Sequence, residues 1–142
     1  MALTSKHIFV NLHVKDVKRS MAFFTGLGFA FNMQFTDEEK AACLEIGDNM
    51  FAMLLAEPFF QSFTKKEIVD TDKHAQLTIA LSTESREAVD EIVNRAVALG
   101  GKLYTDPADH GFMYQWGFQD PDGHIWEIAY MDMNALEGED KA

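Results

Sequence analysis

The feature that most constrains how this chain can fold is an internal repeat. Residues 8–14 alternate apolar side chains with other types and lead into an amphipathic run that ends at Gly28. Residues 77–83 alternate in the same way and lead into a second amphipathic run that ends at Gly100. About half of the 142-residue chain separates the two glycines. Because a sequence repeat marks one supersecondary unit used twice, we expect two copies of a module that begins with a strand and a helix.

Each half continues after its glycine with segments that predict three further strands. Asp16 precedes the first helix as its N-cap, whereas Thr83 and Ser85 compete for that role in the second half. Turn residues separate the last two strands of each half. The predicted strands are 8–14, 29–35, 40–46 and 50–56 in the first half and 77–83, 102–105, 111–119 and 124–130 in the second. The sequence therefore predicts an α+β fold built from two βαβββ modules.

The domain organisation follows from the same pattern. We expect a single domain over residues 1–142, with module one at about 6–57 and module two at about 75–131. A connector at 58–74 carries several phenylalanines and charges, which predicts some helix held by a few aromatic rings. The remaining residues, 132–142, form an acidic tail that we expect to fray.

Composition excludes several classes of partner. The chain has 12 Lys and Arg against 23 Asp and Glu, a net charge of −11, so a nucleic-acid backbone would be repelled. No apolar stretch approaches the roughly 20 residues that cross a bilayer, and residues 1–6 do not resemble a signal peptide. We therefore expect a cytoplasmic protein that binds neither nucleic acid nor membrane. The single cysteine, Cys43, is predicted to be a buried thiol.

Strand alternation separates a face that must be buried from a face that is available to a ligand. The uniformly apolar faces of strands 8–14 and 77–83 are expected to pack on the helices. On the last strand, Glu127 lies between the bulky Trp126 and Ile128 and therefore faces the other way. The residues predicted to face a ligand from the first strand of each module are Phe9, Asn11, His13, Gln76 and Thr78.

The pairing of the last two strands decides what surrounds Glu127. If the turn at Pro121 and Asp122 pairs Gln119 with His124, then Trp116 lies opposite Glu127 and Gly117 lies opposite Trp126. Glycine at that position would leave room for the indole. In this register Tyr114, Trp116 and Phe118 share one side of the strand with Glu127 and give the carboxylate an aromatic surrounding.

Three segments carry a resemblance to a known family: residues 9–16, the Leu27-Gly28-Phe29 helix end and residues 118–127 with their Asp-Pro-Asp-Gly turn. They resemble the vicinal-oxygen-chelate superfamily, which includes glyoxalase I, bleomycin- and fosfomycin-resistance proteins and extradiol dioxygenases. More narrowly, the chain looks like bacterial proteins described as predicted lactoylglutathione lyases. The resemblance implies a curved, cup-shaped mixed β-sheet with helices on its outer face, a divalent metal in the cup and a homodimer.

The resemblance also implies four metal-ligand positions, which are Phe9, Met53, Thr78 and Glu127 in this sequence. Phenylalanine cannot bind a metal, methionine is unsuitable for a hard cation, and threonine is a poor ligand. Only Glu127 fits. We therefore expect no tightly held cofactor, with Glu127 as the one candidate ligand should nickel, zinc, manganese or iron bind.

Two functions are compatible with these patterns. The first is a glyoxalase-like lyase or isomerase acting on a small carbonyl compound, with Glu127 as the general base. The second is a metal-free binding protein that sequesters a small aromatic or cationic ligand beside Glu127. Both hypotheses use one set of substrate-binding residues: Phe9, Asn11, His13, Gln76, Thr78, Tyr114, Trp116 and Phe118.

Overall fold

Both halves of the chain fold in the order β-α-β-β-β, as the repeat predicts. The structure is a computed structural model that describes residues 1–134 and divides into two compact units, the first ending at Val69 and the second beginning at Asp70. The predicted acidic tail at 132–142 lies almost wholly outside the described residues. No helix within residues 1–134 has the length and apolar character needed to cross a bilayer.

The elements of the first unit form a four-stranded mixed sheet. They are β1 (Ile8–Val14), α1 (Val17–Leu27), β2 (Ala30–Phe31), β3 (Ala41–Gly47), β4 (Met50–Ala56) and α2 (Glu57–Gln61). The strand order is β1-β4-β3-β2, with β1 and β4 parallel and the other neighbours antiparallel.

The second unit repeats this topology. Its elements are β5 (Thr78–Ser82), α3 (Arg86–Ala98), β6 (Ala108–Asp109), β7 (Met113–Gln119) and β8 (Ile125–Met131). The strand order is β5-β8-β7-β6, and again only the first pair, β5 and β8, is parallel. The predicted α+β class and the two βαβββ modules are confirmed.

Local signals account for the limits of the two long helices. The Asp16 carboxylate accepts from the Arg19 backbone N–H at 3.2 Å, and α1 ends at Gly28, whose φ of 112° is a left-handed conformation that suits glycine. Ser85, not Thr83, caps α3, because its hydroxyl accepts from the Ala88 N–H at 3.0 Å. The alternation of β1 then buries Leu12 and Val14 on the face that α1 covers.

The short helix α2 buries part of the opposite face of the first sheet. His13, Leu55 and Ala41 form one row across β1, β4 and β3, and all three side chains are buried. The His13 ring packs edge-on against Phe60 of α2 with centroids 5.4 Å apart, and its Nδ1 lies 3.6 Å from a Glu57 carboxylate oxygen. The predicted helix in the connector therefore covers a polar residue of β1.

Two predicted strands are shorter or displaced in the structure. The strand predicted at 29–35 is limited to β2, because the Asn32 side chain accepts from the Gln34 N–H and starts a 3-10 turn. The strand predicted at 102–105 is replaced by β6, since only Lys102 pairs with Gln119 before the chain leaves the edge of β7. The departing loop, residues 103–107, proves important for the site.

The hairpin between β7 and β8 is closed by a buried aspartate. Asp120 is 4% exposed; its Oδ1 accepts from the backbone N–H groups of Asp122 and His124, and its Oδ2 accepts from the Trp126 indole at 3.0 Å. Burial raises the pKa of the Asp120 carboxyl. The Thr71 hydroxyl donates to the Asp122 carbonyl and holds the turn from the other side.

Candidate functional site

The register of the β7–β8 hairpin differs by one residue from the sequence prediction. Asp120 pairs with His124 around a three-residue loop that ends at Gly123, whose φ is 86°. Gln119 therefore lies opposite Ile125, Trp116 opposite Ile128, and Gly117 opposite Glu127. The predicted pairing was wrong because it assumed a loop one residue longer.

Gly117 makes room for a tyrosine and not for an indole. A Cβ at residue 117 would collide with the Tyr104 hydroxyl and would lie 2.5 Å from the Trp126 carbonyl oxygen. Tyr104 comes from the loop 103–107 and lies against the face of the sheet from which Glu127 projects. Burial raises the pKa of the Tyr104 hydroxyl, and the negative charge of Glu127 raises it further. The glycine thus lets the loop bring a phenol close to the carboxylate.

The same loop borders a cavity of about 160 Å³, open to solvent, on the Glu127 face of the second sheet. Ala108 of β6 is paired with Gln115 of β7, and both project from the same face as Gly117, as strand alternation requires. We call this space the Glu127 cavity; its lining residues are Tyr104, Thr105, Asp106, Ala108, Gln115, Trp116 and Glu127. It is a concave space with aromatic walls and a few polar groups, which is typical of small-molecule sites.

Glu127 is half-buried, and no group within residues 1–134 donates a hydrogen bond to its carboxylate. The lining contains a second carboxylate, Asp106, and includes no lysine, arginine or histidine. A carboxylate removed in part from water and left without a donor favours a partner that carries hydrogen-bond donors or positive charge. The cavity is therefore electrostatically suited to such a ligand.

The structure separates the three aromatic residues predicted to surround Glu127. Of the three, only Trp116 borders the cavity, where its indole N–H donates to the Thr105 carbonyl at 2.9 Å and ties the loop to β7. All three project from the face opposite Glu127, because Gly117 and not Trp116 is aligned with Glu127; Phe118 is buried beside Trp126, and the Tyr114 hydroxyl donates to Asp90 of α3 at 2.6 Å. That hydrogen bond raises the pKa of Tyr114 to about 12. Their predicted position beside Glu127 is wrong because the register is shifted.

The predicted site residues of β1 have three different environments. Phe9 is 55% exposed and stacks on Phe51 with ring centroids 5.0 Å apart. Asn11 is exposed beside Met53. His13 is 2% exposed beneath α2, so its predicted ligand-facing position is wrong. A helix that covers this row could not be located from the alternation of β1 alone.

In the second unit, Thr78 and Glu127 project from the same face of paired strands, with Thr78 aligned with Ile125. Gln76 is exposed and precedes β5, so it is not part of the strand. The sequence interpretation missed Tyr104, Gln115 and Asp106. One feature of the sequence could have indicated them. Asp106 and Pro107 are typical of a loop, and a loop at this point is incompatible with a strand at 102–105.

The four positions implied for a metal do not provide a suitable donor set. Phe9 and Met53 offer no oxygen or nitrogen, and Thr78 offers only a neutral hydroxyl. Within residues 1–134 no group of three or more His, Cys, Asp or Glu side chains could hold a metal ion. These residues do not fit a divalent cation held at those positions, because Glu127 would be its only charged ligand.

Comparison with known proteins places the chain in a family. The family model described as Glyoxalase/Bleomycin resistance protein/Dioxygenase superfamily matches residues 5–128. No curated protein matches the chain significantly.

Solved structures share the fold. A hypothetical protein from S. aureus is 26% identical, with a TM-score of 0.76 over 89% of this chain and 94% of the other. A glyoxalase/bleomycin resistance protein/dioxygenase family enzyme from Burkholderia phytofirmans PsJN is 20% identical, with a TM-score of 0.72 over 87% and 96%. A lactoylglutathione lyase from Agrobacterium tumefaciens is 14% identical, with a TM-score of 0.66 over 92% and 96%. Because the family model matches most of the chain, the chain belongs to the Glyoxalase/Bleomycin resistance protein/Dioxygenase superfamily.

Proposed function

We propose that the protein binds a small organic molecule in the Glu127 cavity and that Glu127 anchors it. The observation that carries this proposal is a half-buried carboxylate with no donor from residues 1–134, facing a cavity of about 160 Å³. A cavity of about this size accepts a benzene-sized group. The Tyr104 side chain, which lies against Gly117, provides apolar contact area beside the charged anchor, and Trp116 borders the cavity.

Filling the cavity is expected to abolish binding without unfolding the protein. Ala108 is half-buried and shares the Glu127 face, so Ala108→Phe places a ring where the ligand is proposed to lie. The measurement is a ligand-observed NMR screen with cationic, neutral and anionic fragments, repeated on the variant. We expect hits on the wild-type protein whose affinity falls at least about tenfold in Ala108→Phe, a loss of about 1.4 kcal/mol.

The matched control is Ala30→Phe, which enlarges an exposed alanine at the corresponding edge strand of the first unit. Hits should bind this variant as they bind the wild-type protein. Hits that bind Ala108→Phe unchanged, or a screen without hits, would contradict the proposal.

A second candidate function, lyase or isomerase chemistry on a small carbonyl compound, is favoured by the position of Tyr104. Glu127 would remove a proton beside the carbonyl, and the Tyr104 hydroxyl, close to Glu127, would donate a hydrogen bond to the developing enolate oxygen. Deuterium exchange into small ketones and aldehydes measures the first step directly. We expect exchange to stop in Glu127→Gln and to slow in Tyr104→Phe if this function is present, and binding without exchange if it is not.

A homodimer and a cytoplasmic location remain predictions from the sequence and the family resemblance. Size-exclusion chromatography with light scattering measures the first. Neither property is required for the proposed binding, because every lining residue of the Glu127 cavity belongs to the second unit.

A further inference from the structure

We propose that the ligand of the Glu127 cavity presents a small organic cation with N–H donors, a guanidinium or a primary ammonium group. This inference rests on the proposed function and specifies the chemical class of the ligand. It depends on the charge, hydrogen-bonding groups and size of the cavity.

The charged residues of the lining are all acidic. Glu127 and Asp106 are its only ionisable groups at neutral pH, and the neighbouring Tyr104 hydroxyl is kept neutral. An anionic ligand would place its charge beside two carboxylates without a compensating cation in the lining. The net charge of −11 adds to this repulsion and attracts cations to the protein.

The lining offers more acceptors than donors. Both Glu127 oxygens are available, and the Gln115 side chain and the Asp106 carboxylate have no hydrogen-bond partner within residues 1–134. The Thr105 hydroxyl is directed at the Asp106 carbonyl at 3.5 Å, which leaves the Tyr104 hydroxyl and the Gln115 amide as donors. A group with several N–H donors satisfies these acceptors better than a quaternary ammonium, which has no donor.

The walls and the volume agree with a flat or compact cation. Tyr104 brings its hydroxyl and a ring carbon beside Gly117, the residue aligned with Glu127, so an aromatic group, which attracts cations, lies close to the carboxylate. The hydrogen bond from Trp116 to Thr105 restrains the loop 103–107 that carries Tyr104. Because the cavity measures about 160 Å³, it holds a headgroup and leaves the rest of a larger ligand outside.

The test compares cations with neutral molecules of the same shape. The probes are methylguanidinium against N-methylurea and butylammonium against butanol, titrated by two-dimensional NMR on the full chain at low and high salt. We expect each cation to bind at least about tenfold more tightly than its neutral counterpart, because a hydrogen bond to a charged group is stronger than a neutral one. The preference should shrink at high salt.

Variants assign the preference to Glu127. Glu127→Gln keeps the shape of the side chain. It is expected to lower the affinity for the cations about tenfold and to leave the affinity for the neutral probes unchanged. Asp106→Asn, at an exposed position, should weaken cation binding about twofold to threefold. The matched control, Glu45→Gln on an exposed position of β3, should leave all four affinities unchanged.

The outcomes separate this inference from the proposed function. Neutral probes that bind as tightly as the cations, or cation binding that survives Glu127→Gln, overturn the cation inference. If neither cation binds but fragments sensitive to Ala108→Phe are found, the cation inference fails and the proposed function stands. If no such fragment is found either, both fail.

Discussion

Replacing Asp120 by alanine is expected to destabilise the second unit by about 3 to 5 kcal/mol. The carboxylate is 4% exposed and accepts from two backbone N–H groups and from the Trp126 indole. Alanine leaves these three donors buried without an acceptor, and each costs about 1 to 3 kcal/mol. Asp120→Asn keeps one carbonyl oxygen and should cost less than Asp120→Ala.

Urea unfolding followed by circular dichroism measures this effect over the whole chain, and tryptophan fluorescence assigns it to the second unit, because Trp116 and Trp126 are the two tryptophans of the chain. The matched control is Asp48→Ala in the corresponding hairpin of the first unit, where the aspartate is exposed. We expect that control to change the free energy of unfolding by less than about 0.5 kcal/mol. A small effect of Asp120→Ala would show that the buried hydrogen bonds do not hold the hairpin.

Adding a single methyl group at Gly117 is expected to destabilise the second unit by about 2 to 3 kcal/mol and to deform the Glu127 cavity. The new Cβ would lie 2.5 Å from the Trp126 backbone carbonyl and would overlap the Tyr104 hydroxyl. The tyrosine can move away, but the carbonyl belongs to a paired strand and cannot. Gly117→Ala should therefore widen the separation of β7 and β8 and displace Tyr104.

Gly47→Ala provides the control, because a Cβ at residue 47 would collide only with the terminal methyl of the Met50 side chain, which is half-exposed and can rotate. We expect the free energy of unfolding of this variant to lie within about 0.5 kcal/mol of the wild-type value. The double variant Gly117→Ala with Tyr104→Ala should recover only part of the loss. Full recovery of the free energy of unfolding would mean that the tyrosine alone, and not the strand pairing, excludes a larger side chain at residue 117.

The fold was predictable where local signals coincide with the repeat. The limits of β1 follow from alternation, the start of β4 follows from the turn residues before it, and the limits of α1 follow from the Asp16 cap and the Gly28 stop. The edge strands were not predictable, because β2 and β6 are two residues each and depend on pairing with β3 and β7. Strand formation at an edge is decided by the neighbouring strand more than by its own sequence.

The site was predictable only in its anchor. Glu127 follows from alternation along β8 and from the family resemblance, but its surroundings depend on contacts distant in sequence. A one-residue change in the hairpin loop exchanges the faces of Trp116 and Gly117. Tyr104 reaches the site through a loop that leaves the sheet edge, and His13 is covered by α2. No local pattern encodes these two contacts.

Binding in the Glu127 cavity is tested most directly by mapping the position of bound fragments by two-dimensional NMR on the isotope-labelled full chain. We expect fragments to shift the amide signals of Gly117 and Glu127 and the indole signal of Trp116, and we expect Ala108→Phe to remove these shifts. Fragment shifts confined to the first unit, for example at the stacked aromatic pair Phe9 and Phe51, would contradict binding in the Glu127 cavity.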